Sequence, residues 1–359
     1  MASRDGARMR RALLLARRGW GRTAPNPMVG AVVVRDGEVV GEGWHAEYGG
    51  PHAEVMALAA AGDRARGAEA YVTLEPCVHF GNTPPCADAL IAAGVRRVVV
   101  AIEDPNDVAS GGIERLRAVG IEVVVGVEAE AARDMNASWL HSFTSATRPY
   151  ITLKLAVSID GAIGLVGGVQ QWLTGPAARR YVHRLRAGAD AIAVGIGTAL
   201  ADDPQLTVRS GRRPRLAPTR VVFDPTARLP VTSKLARGAR KVPVMVLANT
   251  PTDTAVTALE ERGVVVLRAP GMDDHLAILR ADGIRHLFVE GGAGIAAALL
   301  NAGWVDRLII FRVPVLLGAG ALSAFGSVAS SPLGDSRWSI VEHRMFGDDS
   351  MTVYRAPGR

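Results

Sequence analysis

The 359-residue chain has only two cysteines, Cys77 and Cys86, each directly after a proline, with His52 and Glu54 upstream of both. An imidazole and two thiolates form a zinc ligand set that leaves the fourth tetrahedral position to water. Water held in that position is acidic enough to act as a nucleophile near neutral pH. Glu54, two residues past His52, is too close to be a natural fourth ligand and is the candidate proton shuttle. The order H-x-E, then P-C and a second cysteine, suits attack of hydroxide on an amino-bearing ring carbon with loss of ammonia. Taken singly, these residues have plainer readings, since a free cysteine is usually a small buried hydrophobe. Their order and closeness favour the metal, although eight residues separate the cysteines where the common motif has two.

These side chains need elements to position them. Ala31 to Val34 and Glu38 to Gly41 read as two strands around an Asp36-Gly37 turn, a strong hairpin signal. His52 to Ala61 reads as a helix with Gly62 as its stop, Ala70 to Leu74 as a strand, and Pro84 to Gly94 as a second helix with proline in its first turn. A helix N-terminus lowers thiol pKa values, which readies Cys86 to bind as thiolate. Arg97 to Ala101 is a parallel-type strand, and Ile121 to Val127 a last one. Ligands collect at the carboxyl ends of strands in open α/β sheets. Asp104 and Asn106, just past such an end, are therefore substrate-binding candidates, as is Asn26 ahead of the first strand; Asp-Pro-Asn is equally an ordinary turn sequence. Asn136 to Arg148 reads as a connection, so domains are expected at 1–146 and 147–359.

Composition sets the outer limits. The length suits two domains, and 48% apolar residues can bury a core in each. No run of about eighteen apolar residues occurs, so no membrane span is expected. The basic opening segment reads as a surface helix and not as a signal peptide. Cysteines in ligand spacing suit a reducing cytoplasm, the expected location. The formal charge is +6, with 41 basic residues against 35 acidic. The basic residues are dispersed except from Arg209 to Arg215, and a few converging arginines serve a phosphorylated small molecule as well as a polynucleotide. No nucleic-acid partner is expected. Only Lys154, Lys234 and Lys241 are lysines.

In the second half, strands and helices alternate, which implies a largely parallel sheet covered on both faces. Expected strands are 191–195, 220–224, 242–247, 264–267 and 286–289, with 307–316, 338–345 and 351–355 as an antiparallel edge. Thr198 to Arg209 reads as a polar loop. Lys154 interrupts a β-prone run from Arg148 to Asp160, a pattern that favours the solvated face of an edge strand over a cation aimed into a cleft. Glu290-Gly291-Gly292-Ala293-Gly294 joins a strand to a helix, an arrangement that brings backbone N–H groups to a phosphate or else packs a helix tightly on a strand.

The Asn26-Pro27-Met28-Val29-Gly30 segment, His45, the His52 and Glu54 motif and both cysteine motifs resemble the deaminase half of the bifunctional deaminase/reductases of riboflavin biosynthesis. The resemblance continues through Leu153-Lys154, Gln171-Trp172, Leu185-Arg186, Gly197 to Arg209 and Val289-Glu290. It implies an α/β chain: an N-terminal three-layer domain like cytidine deaminase and a C-terminal domain like dihydrofolate reductase. It also implies two reactions on a small phosphorylated pyrimidine. Zinc, one ion per chain, would rest on His52, Cys77 and Cys86, with Glu54 moving protons and Asn26, His45, Asp104 and Asn106 on the substrate. The other half would use NADPH to reduce the ribosyl group to ribityl. There the nucleotide would fall to Ala156, Trp172, Thr198, Asp202, Gly292, Ala293, Gly294, Ile295, Ala296, Ala297 and Ala298. The substrate would meet Gln170, Arg186, Leu206, Arg209 and Glu290, with Lys154 orienting or protonating the reacting sugar carbon.

The chain departs from that pattern at Asn82, where the family usually has a basic residue that helps hold the substrate phosphate, and at Gln170, where it commonly has serine. A homo-oligomer, dimer or tetramer, is expected. Two other readings stay open: a base deaminase acting on RNA, and a chain with one working half.

Overall fold

Asp36 and Gly37 both take positive φ, 50° and 87°, and so turn β1 (Gly30–Arg35) back into β2 (Glu38–Trp44). In this computed structural model, which describes residues 4–80, 84–165, 172–329 and 337–358, the chain divides into two units, Met1–Thr144 and Ser145–Arg359. Asn82 and Gln170 lie outside the described residues.

In the first unit, α1 (Arg4–Ala16) precedes the hairpin. After it come α2 (Ala53–Ala61), β3 (Glu69–Val72), α3 (Cys86–Ala93), β4 (Arg97–Val100), α4 (Gly112–Ala118), β5 (Glu122–Val125), α5 (Ala129–Met135) and α6 (Ala137–Thr144). The sheet order is β2-β1-β3-β4-β5, with β1 antiparallel to both neighbours and β3, β4 and β5 parallel. Strand alternation sends Ala31 and Val33 to one face, where they meet Ala53 and Ala57 of α2, Leu90 of α3 and Leu116 of α4. Val32 and Val34 go to the other face, among Met9 and Leu13 of α1, Ala132 of α5 and Leu140 of α6. The result is three layers. The opening segment, expected on the surface, is one of them: Met9, Ala12 and Ala16 are fully buried while its arginines stay outside. Its i, i+3, i+4 apolar spacing needed only a sheet face to cover.

The second unit contains β6 (Tyr150–Val157), β7 (Ala162–Leu165), α7 (Pro176–Ala187), β8 (Ala191–Gly195), α8 (Ile196–Asp202), β9 (Thr219–Phe223), α9 (Lys234–Arg237) and β10 (Val244–Ala248). It continues with α10 (Asp253–Glu260), β11 (Val265–Arg268), α11 (Met272–Ala281), β12 (His286–Glu290), α12 (Ala293–Asn301), β13 (Arg307–Arg312), β14 (Ala321–Ser323), β15 (Ser339–Phe346) and β16 (Asp349–Arg355). Nine strands form one sheet, β11-β10-β9-β8-β12-β6-β13-β16-β15, parallel from β11 to β13 and antiparallel at β16 and β15. Two buried clusters flank it, one with α7 and α10, the other with α11 and α12.

Three expectations change here. β13 runs parallel to β6, so the antiparallel edge begins one strand later. Residues expected as the start of a polar loop form α8, which buries Ala199 against the sheet. Lys154 lies on β6, between β12 and β13, and not on an edge strand.

At the start of β6, Arg148 is buried and grips the carboxylate of Asp306 twice, with Nη1 2.7 Å from Oδ2 and Nη2 2.8 Å from Oδ1. The Ile151 N–H donates to the same carboxylate at 2.8 Å. Removing one partner strands a buried charge, so Arg148→Ala is expected to lower stability by about 3–5 kcal/mol in urea denaturation. A change below about 1 kcal/mol would assign this pair a surface-like role.

Candidate active sites

The first site is built on α2 and α3. Gly41 and Gly43 of β2 let α2 approach so closely that a Cβ on Gly43 would lie 2.2 Å from the carbonyl oxygen of Ala53. His52 caps that helix and Glu54 occupies its first turn. Cys86 opens α3 after Pro85. Cys77 follows β3 in a loop held by a second close approach, where a Cβ on Gly112 would lie 1.8 Å from the carbonyl oxygen of Pro76.

The His52 Nδ1 atom is 3.2 Å from Cys86 Sγ and 3.6 Å from Cys77 Sγ, and one ligand atom from each residue lies within 4.8 Å of the others. Bond lengths of about 2.3 Å to sulfur and about 2.0 Å to nitrogen put tetrahedral ligands roughly 3.5–3.8 Å apart. The donor set therefore fits an ion of zinc's size and preference. Hydrogen bonds from the Cys86 thiol and, less strongly, from His52 pull the Cys77 thiol well below its ordinary value, to about 4. The same pairing, with burial, pushes the Cys86 thiol up, and an ion bound there would favour the thiolate of both.

Glu54 is 4% exposed. Burial raises its carboxyl to about 7, although His52 acts in the opposite direction. That value suits a group that must both take and give a proton near neutrality.

His52, Glu54 and Cys77 line a cavity of about 180 Å³ with Asn26, His45, Asp104 and Asn106. Asn26 Nδ2 is 3.4 Å from His45 Nε2, and His45 Nδ1 is 3.1 Å from the carbonyl oxygen of Pro51. Burial lowers the His45 pKa. Asp104 accepts from the Asn106 N–H at 2.8 Å, and burial, reinforced by Glu75 and Cys77, raises it to about 6. Glu75 was not singled out in the sequence. It is buried and takes the N–H groups of Asp104, Gly111 and Ile113 at 2.9–3.1 Å, which shapes the loop carrying Asp104 and Asn106. Trp139, in the segment expected as a connection, also lines the cavity.

The second site gathers at the carboxyl ends of the parallel strands. Register places Lys154 of β6 directly beside Glu290 of β12. Glu290 forms a double ion pair with Arg186 of α7, Nη2 to Oε2 at 2.9 Å and Nε to Oε1 alongside it. Arg186 also donates to the carbonyl oxygen of Thr207 at 3.0 Å. Burial lowers the Lys154 pKa, with Arg186 adding to the effect and Glu290 opposing it. Burial alone would raise Glu290, but Arg186 and Lys154 outweigh it and hold the carboxyl below its usual range.

The other predicted residues differ in their settings within the second unit. Ala156 is two residues along β6 from Lys154, and Leu206 is buried with a positive φ of 48°. Arg209 is exposed on the same loop, its N–H donating to His183 Nδ1 at 3.3 Å. Gly292 caps α12, and a Cβ there would lie 2.9 Å from Thr198 Oγ1. The Ala296 N–H already donates to Gly292, so free N–H groups belong to the first turn, Ala293 to Ile295. Ala296 and Ala297 are buried and Ala298 is exposed. Asp202 ends α8, its pKa raised by burial. Trp172 is 69% exposed with Arg179 over its ring at 5.4 Å.

Residues 149–352 match the model of the RibD C-terminal domain, and residues 2–102 match that of the cytidine and deoxycytidylate deaminase zinc-binding region. The riboflavin biosynthesis protein RibD of Escherichia coli is 44% identical over 356 residues, covering 95% of this chain and 96% of that one. The chain belongs to the RibD family. Another RibD relative, from Aquifex aeolicus, is 44% identical over 315 residues, 87% of each chain. Among solved structures, Acinetobacter baumannii RibD, form 1, aligns with a TM-score of 0.84 at 38% identity, covering 98% of this chain and 99% of the other. The RibD-type deaminase/reductase of Thermotoga maritima aligns with a TM-score of 0.82 at 33% identity over the same shares. The expected fold pair holds, a deaminase-like unit followed by a RibD reductase unit. As a RibD protein the chain is a bifunctional enzyme of riboflavin biosynthesis, joining a deamination and a reduction.

Proposed function

We propose that the first unit, ending near residue 146, removes the 2-amino group of 2,5-diamino-6-(5-phospho-D-ribosylamino)pyrimidin-4(3H)-one. The observation that supports this most is the convergence of His52, Cys77 and Cys86 at a cavity that His52, Cys77 and the buried carboxyl of Glu54 line. His52, Cys77 and Cys86 hold zinc, which when bound supplies an acidified water. Glu54 takes the proton of the attacking water and returns it to the leaving nitrogen, so that water and the amino group become a carbonyl oxygen and ammonia. Asn26, His45, Asp104 and Asn106 hold the pyrimidine and its sugar.

The second unit, from about 147, reduces the deaminated nucleotide to 5-amino-6-(5-phospho-D-ribitylamino)uracil. NADPH supplies the hydride. The first turn of α12, capped by Gly292 with the Thr198 hydroxyl close by, supports a nucleotide phosphate there. Ala156, Trp172 and Asp202 complete the nucleotide's contacts, with Ala296 to Ala298 backing the first turn of α12. Arg186, Leu206, Arg209 and Glu290, with Gln170, take the substrate. Lys154 delivers a proton to the opened sugar as hydride arrives at its C1'.

The substrate is thus a small phosphorylated pyrimidine, in the cytoplasm. No helix among the described residues is long and apolar enough to cross a membrane. Edge strand β15 exposes Ile340 and Met345, which supports self-association into a dimer or tetramer. Chelation decides the division of labour. Stripping zinc is expected to abolish ammonia release from the diaminopyrimidine nucleotide and leave NADPH consumption on the deaminated nucleotide unchanged. Ammonia release that survives complete metal removal would overturn the assignment.

A further inference from the structure

Two side chains near the junction of the last two helices of the first unit bear on the deaminase cavity, Asn136 through the backbone beside Asn26 and Trp139 directly. Asn136, between α5 and α6, is 3% exposed, and its carboxamide pairs with both backbone groups of one distant residue. The Met28 N–H donates to Asn136 Oδ1 at 2.9 Å, and Asn136 Nδ2 donates to the Met28 carbonyl at 2.9 Å. This is the pairing a neighbouring strand would make, supplied by a side chain. It fixes the backbone two residues after Asn26, whose amide lies 3.4 Å from His45 Nε2 in the cavity wall. One turn further on, Trp139 lines the same cavity. Its ring is braced edge-on by Phe143, with centroids 5.0 Å apart at 73°.

A pyrimidine presents a polar edge and two apolar faces. Asn26, His45, Asp104 and Asn106 suit the edge, and Trp139 is the aromatic side chain lining the cavity that suits a face. We propose that Trp139 is a specificity-determining residue that contacts the substrate's ring, and that Asn136 is a positioning residue acting through Met28 to hold Asn26 in register. The proposal rests on the deaminase reading above.

The test uses the full chain and follows ammonia release, NADPH consumption on the deaminated nucleotide, and bound zinc. Loss of an aromatic partner for a base is worth about 1–3 kcal/mol, so Trp139→Ala is expected to raise the deaminase KM about 5- to 150-fold. Trp139→Phe should stay within about threefold of wild type. Zinc content and NADPH consumption should not move in either variant. Asn136→Ala should raise KM with zinc retained; should it misfold, Trp139→Ala, which removes no buried hydrogen bond, still decides the ring contact. An unchanged KM in Trp139→Ala overturns the proposal. So does a parallel loss of zinc and of both activities in that variant, which would mark a packing role only. If the wild-type chain releases no ammonia while consuming NADPH, the deaminase reading itself falls and takes this proposal with it.

Discussion

Exchanging Glu54 for glutamine is expected to slow ammonia release between about 10²- and 10⁴-fold, the range typical for removing a proton-transferring side chain. Bound zinc and NADPH consumption on the deaminated nucleotide should be preserved. Glutamine keeps the volume and one hydrogen-bond acceptor but cannot carry a proton. Glu54 is buried in the first turn of α2, beside His52 and within reach of the Cys86 thiol, and glutamine meets the same surroundings without an unpaired charge. The loss should therefore fall on kcat, with KM little changed, because the proton moves only as the ring carbon is attacked. Assays of purified protein that follow the two reactions separately would read this directly. Equal rates for Glu54→Gln and wild type would remove Glu54 from the chemistry.

The second large effect is expected at Lys154. Lys154→Met should lower kcat for NADPH consumption about 10²-fold or more while ammonia release stays at the wild-type rate. The wild-type reduction should also decline as pH rises through the Lys154 pKa, because only the protonated amine can donate. Burial lowers that pKa, so the decline should set in below the titration range of an exposed lysine. The Lys154→Met variant should lack that limb of the profile. Lys154→Arg should not restore activity, since a guanidinium does not release its proton at these pH values. A pH profile identical in wild type and Lys154→Met would leave Lys154 only the task of pairing with Glu290.

Much of the first site was legible because its signals are local. His52 and Glu54 share one helix start, Cys86 opens another, and an Asp-Gly pair turns the hairpin without help from the rest of the chain. What escaped depends on residues far apart in sequence. Glu75 reads as an ordinary acidic residue until the fold brings three N–H groups from residues 104 to 113 onto its oxygens. Trp139 belongs to a segment whose mixed polarity suggests a linker, and only docking of α6 carries it to the cavity. Lys154 shows the same limit most clearly. A cation in an apolar run points to an edge strand by pattern alone, and it takes β12 and β13, from the far end of the chain, to cover β6 on both sides. The Gly291-Gly292 turn was visible as a weak signal. The side chain near it, Thr198, reads from sequence as part of a loop, and it is α8 that presents it.

The placement of β6 also bears on how the chain comes to be folded. The first unit pairs strands that are near neighbours in sequence, so it can close soon after its residues leave the ribosome. In the second unit an interior strand of the sheet, β6, is made first of all, yet it pairs with residues 286–290 and 307–312. Tyr150 to Val157, an apolar β-prone segment, therefore waits without its final neighbours until most of the chain has been synthesised, and closure of so long a loop is slow. The interval in which this segment can pair with the wrong strand, or with another nascent chain, belongs almost wholly to the reductase half.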